Sequence, residues 1–145
     1  MINKKKFIFW LPVILWAAII FLFSSNPDPY RFLPASWRSA VPLPTLTNSS
    51  AAELLGQFLH FLEYAVLVFL LARAFYKTAS TQSIYTVIIA SLFAFSDEIH
   101  QLFVPGRAFQ LIDLIIDFIG ILFGVFLYTR LKIEPQRHED SIPPG

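Results

Sequence analysis

At 145 residues, with 56% hydrophobic, 17% aromatic and 14% charged side chains, the chain has the length of one domain but is too apolar for a soluble one. The formal net charge of +1 says little by itself, and no nucleic-acid partner is expected. The absence of cysteine excludes disulfides, thiolate metal sites and a thiol nucleophile. The apolar residues fall in blocks long enough to cross a bilayer, so the chain reads as an integral membrane protein.

Lys4-Lys5-Lys6 precede an apolar run from Phe7 to Phe23. That run exceeds the usual signal-peptide core, and no A-x-A-like site follows it, so it is read as an uncleaved first span kinked at Pro12. From Ser24 to Ser50 there is no helical period, and Pro27, Pro29, Pro34, Pro42 and Pro44 break regular structure. Tyr30, Phe32, Leu33 and Trp37, with Arg31 and Arg38, suit an outer loop lying at the membrane interface; a substrate lid is the sharper alternative. Ser50-Ala51-Ala52-Glu53 has capping-box spacing and opens the second helix, whose span covers about 54–75. Gly56, Gln57, His60, Glu63 and Tyr64 share a face in its first half.

The third span is less plain. Ile84 to Phe95 covers 12 residues, about 18 Å at ~1.5 Å per residue, against a hydrocarbon core of about 30 Å. The helix must therefore run on through Asp97, Glu98, His100 and Gln101, over about 83–103, until Pro105-Gly106 supplies the turn. A short link leads to the fourth span, about 109–129, so the last two helices should be antiparallel neighbours. The expected fold is an all-α membrane protein, a bundle of four transmembrane helices with a long outer loop between the first two. It forms one domain over 1–132, followed by a disordered cytoplasmic tail over 133–145. Lys4, Lys5, Lys6, Arg73, Lys77, Arg130, Lys132 and Arg137 fall on one side and Arg31, Arg38 and Arg107 on the other. The positive-inside rule then puts both termini in the cytoplasm of a multi-pass protein.

Counting along the helices, His60 and Glu63 lie roughly 13 to 18 Å from Ala51, Asp97 and His100 about 9 and 5 Å from Phe103, and Asp113 and Asp117 about 6 and 12 Å from Phe109. Three helices thus bring ionisable groups to one outer layer. A lone carboxylate at mid-membrane costs on the order of 3 kcal/mol, so such groups are expected to converge on a polar chamber. Gly120 and Gly124 continue the stripe of Asp113 and Asp117 and should let two helices approach closely.

Arg107 is open to pairing with Asp113 or Glu98, or to holding an anionic head group. His100 with Asp97 is either an oriented general base or a local pair, and Asp117 either a buried structural group or one facing a substrate. His60 and Glu63, joined by His100 and an aspartate, have ligand types suited to zinc or manganese. They lack the H-E-x-x-H pattern, and the chain is expected to carry no metal and no cofactor. The substrate-binding set is expected to be His60, Glu63, Tyr64, Asp97, Glu98, His100, Gln101, Arg107, Asp113 and Asp117. If the protein is catalytic, His100, Asp97, Glu63 and Asp117 are the candidates.

The blocks His60-Phe61-Leu62-Glu63-Tyr64 and Ser96 to Arg107, Ser-Asp-Glu-Ile-His-Gln-Leu-Phe-Val-Pro-Gly-Arg, followed by Asp113, Asp117 and Gly120, resemble the VanZ-like family of small bacterial membrane proteins. The likeness extends from the first helix to about Tyr128. It departs at Gln57, where the family often carries a lysine. The resemblance implies a four-helix membrane domain of the cell envelope and, for the family's namesake, lowered susceptibility to the glycopeptide teicoplanin. The expected partners are the bilayer and a lipid-linked envelope precursor or lipophilic glycopeptide. An intramembrane hydrolase or transferase acting on an envelope lipid, and a purely structural or assembly role, are the alternatives. Proton-coupled transport fits less well, because nothing comparable to the charged layer lies further inward.

Overall fold

The computed structural model describes residues 4–27, 51–76 and 82–131. Four helices, and no strand, occur among them: α1 (Lys4–Ser24), α2 (Ala51–Tyr76), α3 (Gln82–Gln101) and α4 (Leu111–Leu131). The proline-rich loop, the Ser50 end of the capping box, the start of the polar turn after Lys77 and the tail beyond Leu131 lie outside the described residues.

The α3–α4 hairpin differs in detail from the expected spans. Regular α3 stops at Gln101, and the next amides fold back in tighter i to i−3 bonds: Leu102 to Ile99 (3.2 Å), Phe103 to His100 (2.9 Å) and Val104 to Gln101 (3.1 Å). The Arg107 amide then donates to the Val104 carbonyl at 3.0 Å, closing a turn with Pro105 and Gly106 at its centre. Gly106 has φ 82°, the left-handed conformation that the third position of a type II turn demands. Gln110 starts α4: its carbonyl accepts from the amides of Asp113 (3.0 Å) and Leu114 (3.3 Å).

Helices α2 and α3 form the centre of the bundle. α1 packs against both, α4 packs against both, and the backbones of α1 and α4 do not come close among the described residues. The tightest seam is α2 against α4. A side-chain carbon built on Gly120 would fall on the carbonyl oxygen of Phe61, and one on Gly124 would lie 2.5 Å from that of Ala65. Only the missing Cβ lets the two backbones meet, as the stripe of small residues leads one to expect. The apolar core gathers Ile20 of α1, Tyr64, Leu67, Val68 and Leu71 of α2, Ala90 and Ala94 of α3 and Ile121 of α4. Trp16 fastens α1 by donating its indole N–H to the carbonyl of Glu63 at 2.9 Å.

Burial is reversed relative to a protein made for water. On α4, Asp113, Asp117, Gly120 and Gly124 are buried, whereas Ile112, Ile115, Phe118, Ile119, Leu122, Phe123 and Phe126 are exposed. The same outward apolar face continues on α1 (Ile14, Leu15, Leu22) and α3 (Ile88, Leu92, Phe95). Exposed apolar surface of that extent needs a nonaqueous neighbour. By length and composition two helical stretches, Leu54–Phe75 and Leu111–Leu131, are sufficient to cross a bilayer.

Candidate functional site

The antiparallel order brings the C-terminal ends of α1 and α3 to the N-terminal ends of α2 and α4, and the buried polar groups lie at this end. Asp113 suits its place, since a carboxylate in the first turn of α4 faces the positive end of the helix dipole. Asp97 and Glu98 do not, because they sit in the closing turns of α3, where the dipole is negative. Their burial has to be supported by specific donors.

Those donors form a chain. Gln101, fully buried, donates its amide nitrogen to Asp97 Oδ2 (3.3 Å) and Glu98 Oε1 (3.2 Å). Its carbonyl oxygen accepts from Arg107 Nε (3.2 Å) and a terminal Arg107 nitrogen (2.8 Å). Glu98 Oε2 accepts the backbone N–H of Gln110 at 2.9 Å, tying the start of α4 to α3. Direct pairing of Arg107 with Asp113 or Glu98, one of the two readings open from the sequence, is replaced among the described residues by a relay. Gln101 reaches both partners because it lies one turn beyond Asp97 and Glu98 and faces the turn that carries Arg107.

His60 of α2 is clasped by two carboxylates one turn apart on α4. Its Nδ1 lies 3.1 Å from Asp117 Oδ1 and its Nε2 lies 3.9 Å from Asp113 Oδ2. The approach set by Gly120 and Gly124 brings these side chains into reach. One ligand-type atom from each of His60, Glu98 and Asp117, all buried, lies within 4.8 Å of the others, ligand types and spacing that are open to a cation. Beside this cluster is a cavity of about 20 Å³, enough for a water molecule or a single ion. It is lined by Phe23, Ser24, Leu59, His60, Glu63, Asp97 and Arg107. Asp117 Oδ2 and the Tyr64 hydroxyl are buried and make no hydrogen bond, whereas the Ser24 hydroxyl faces the Asp97 carboxylate as its donor.

His100 stands apart from His60. Its Nε2 is 3.0 Å from the Ser25 hydroxyl, and its ring stacks on Phe21 with centroids 4.6 Å apart. Ser25 in turn donates to the Phe21 carbonyl at 2.6 Å. The direct His100–Asp97 pair considered from the sequence is not formed. At i+3 on α3, the imidazole turns outward to the end of α1. Ser24 and Ser25, which sequence reasoning passed over as loop residues, thus belong to the polar layer. Two hydroxyls ending an apolar span at the same depth as Asp97 were the available signal.

A scan of protein-family models matches the VanZ/LLP1 model over residues 9–132. The chain belongs to the VanZ/LLP1 family. Searches of curated proteins and of solved structures gave no match. Family membership together with the outward apolar faces makes this a VanZ-like membrane protein, and the matched region contains every described helix face that contributes to the polar cluster.

Proposed function

We propose that this VanZ-like protein is a four-span protein of the bacterial cell membrane, with both termini cytoplasmic, that binds the polar head of a lipid-linked or lipophilic envelope molecule at its outer end. The observation that carries the reading is a pair of buried carboxylates within an apolar-faced bundle, Asp117 with Oδ2 unpartnered and Asp97 lining a cavity. A buried acceptor left unpaired costs about 1–3 kcal/mol, which a ligand donor returns on binding. Acceptors predominate: Glu63, Asp97, Glu98, Asp113 and Asp117 stand against Arg107 and His60. The fitting ligand is therefore one that inserts a single donor group of its head, an ammonium or a hydroxyl, into this small cavity while its apolar chain stays in the bilayer.

Envelope precursors of this type, and acylated glycopeptides such as teicoplanin, have both parts. The distribution of Lys and Arg supports the orientation, with the site end carrying Arg31, Arg38 and Arg107 and the opposite end most of the basic residues. Binding is favoured over acid–base catalysis by His100 because that ring is engaged by Ser25 and Phe21 rather than by Asp97.

The test is glycopeptide susceptibility in a Gram-positive host expressing wild type or Asp97→Asn at equal membrane levels. Protection against teicoplanin but not vancomycin by the wild type, lost in Asp97→Asn, is the expected result. Equal susceptibility of the wild-type-expressing and empty-vector strains would count against the envelope role.

A further inference from the structure

We infer that His60, Glu98 and Asp117 form a binding site for one divalent transition-metal ion, Mn²⁺ or Zn²⁺, with Asp113 as an outer partner of the imidazole. Three helices each supply one ligand, and one candidate atom from each residue lies within 4.8 Å of the other two. For three atoms so placed there is a point no more than about 2.8 Å from any of them, against metal–ligand bonds of roughly 2.0–2.6 Å. Side-chain adjustments of a few tenths of an ångström close the difference. The His60 Nδ1 to Asp117 Oδ1 separation of 3.1 Å is also that of two neighbouring ligands on one ion with bonds of ~2.1 Å.

A second observation points to a ligand independently of that spacing. Asp117, a member of the three-residue set and 0% exposed, leaves Oδ2 without a partner. Buried carboxylates are found paired or on metals, since an uncompensated one is strongly disfavoured. Arg107 does not supply the compensation directly, because its hydrogen bonds go to the Gln101 carbonyl oxygen. The donor set selects the ion: one imidazole with carboxylates and no thiolate suits Mn²⁺ or Zn²⁺ better than Cu⁺, which prefers sulfur. The Nε2 to Asp113 distance of 3.9 Å places a second carboxylate beside the ring, as in sites where an outer acid orients a ligating histidine. The metal-ligand reading open to the sequence joined His60 and Glu63 with His100 and an aspartate. The fold keeps His60 and an aspartate, Asp117, and brings Glu98 to them in place of Glu63 and His100.

The site is the one proposed above to receive a polar head, but the metal inference does not depend on the identity of that ligand. The test accordingly uses metal alone. Full-length protein in detergent, freed of metal with a chelator, is equilibrated with Mn²⁺ or Zn²⁺, desalted and analysed for metal. Wild type and Ser96→Ala, whose exposed hydroxyl bonds only the Phe93 carbonyl, should each retain one equivalent of at least one of the two ions. Glu98→Gln and Asp117→Asn should bind it at least about tenfold more weakly. Should those variants fail to fold, pulsed EPR of Mn²⁺ on the wild type decides the matter, with coupling to an imidazole nitrogen expected. Monodisperse wild type that retains neither ion overturns the inference. Undiminished binding in both folded variants, or bound Mn²⁺ without nitrogen coupling, does the same. None of these outcomes bears on teicoplanin protection, so the two readings fail separately.

Discussion

His60 is the residue on which most of the buried polar chemistry converges, with Asp117 and Asp113 on its two nitrogens. Removing the ring in His60→Ala leaves Asp117 Oδ1 unpaired as well as Oδ2, so thermal unfolding in detergent should register a loss of about 1–3 kcal/mol. Because the two residues share one contact, His60→Ala/Asp117→Ala should fall short of the summed single losses by roughly 0.5–3 kcal/mol. Strict additivity would place them in separate environments. Gln101→Leu, of similar size but without the amide, should destabilise by a comparable amount, since it strips donors from Asp97 and Glu98 and the acceptor from Arg107. The sequence made this set of residues legible through one physical rule: ionisable groups in apolar helices at matching depth must meet. It could not reveal which atoms pair, because a residue's helix face is read from spacing whereas the Arg107–Gln101 relay depends on how the following turn folds. His100 illustrates the same limit. It is close to Asp97 in sequence, but the end of α1 offers its imidazole a hydroxyl and an aromatic face.

At the scale of elements, the α2–α4 seam fixes the site. Gly120 and Gly124 admit the Phe61 and Ala65 carbonyls, and an added side chain would meet rigid backbone rather than a flexible tip. Gly120→Ala should therefore cost about 1–3 kcal/mol as an overpacked contact, and Gly124→Leu more. Both should loosen the His60–Asp117 contact, seen as faster hydrogen exchange at the start of α4. A neutral Gly120→Ala would contradict so close an approach of the two backbones. The glycine spacing announced a close helix contact but not its partner, which became clear only once α2 was seen to lie against α4. On the other flank Trp16→Phe should lower stability by about 1 kcal/mol through loss of the indole bond to the Glu63 carbonyl. That long-range bond had no signature in local spacing.

Among the described residues the acidic stripe of α4 faces inward beside a small apolar core, while large aliphatic and aromatic residues also cover the outside, unlike a soluble bundle. Four helices were legible from apolar block lengths, and the antiparallel pairing of α3 with α4 from their short link; the length of α3 was recoverable only by letting it run through its charged residues. The proposed orientation follows from the basic residues and is open to a direct check, because the chain has no native cysteine. Phe103→Cys, at the exposed turn of the site end, should react with a membrane-impermeant thiol reagent added to intact cells, and Arg130→Cys should react only after permeabilisation. The central claim is that the buried acceptors hold a donor group in the head of an envelope lipid. Its most direct test is native mass spectrometry of the detergent-solubilised protein with a polyprenyl-linked sugar–peptide precursor and, separately, with the same polyprenyl phosphate lacking sugar and peptide. Retention of the sugar-bearing lipid by wild type, but not by folded Asp97→Asn, with little retention of the bare phosphate, is the predicted result; equal retention of both lipids, or binding unaffected by Asp97→Asn, would contradict it.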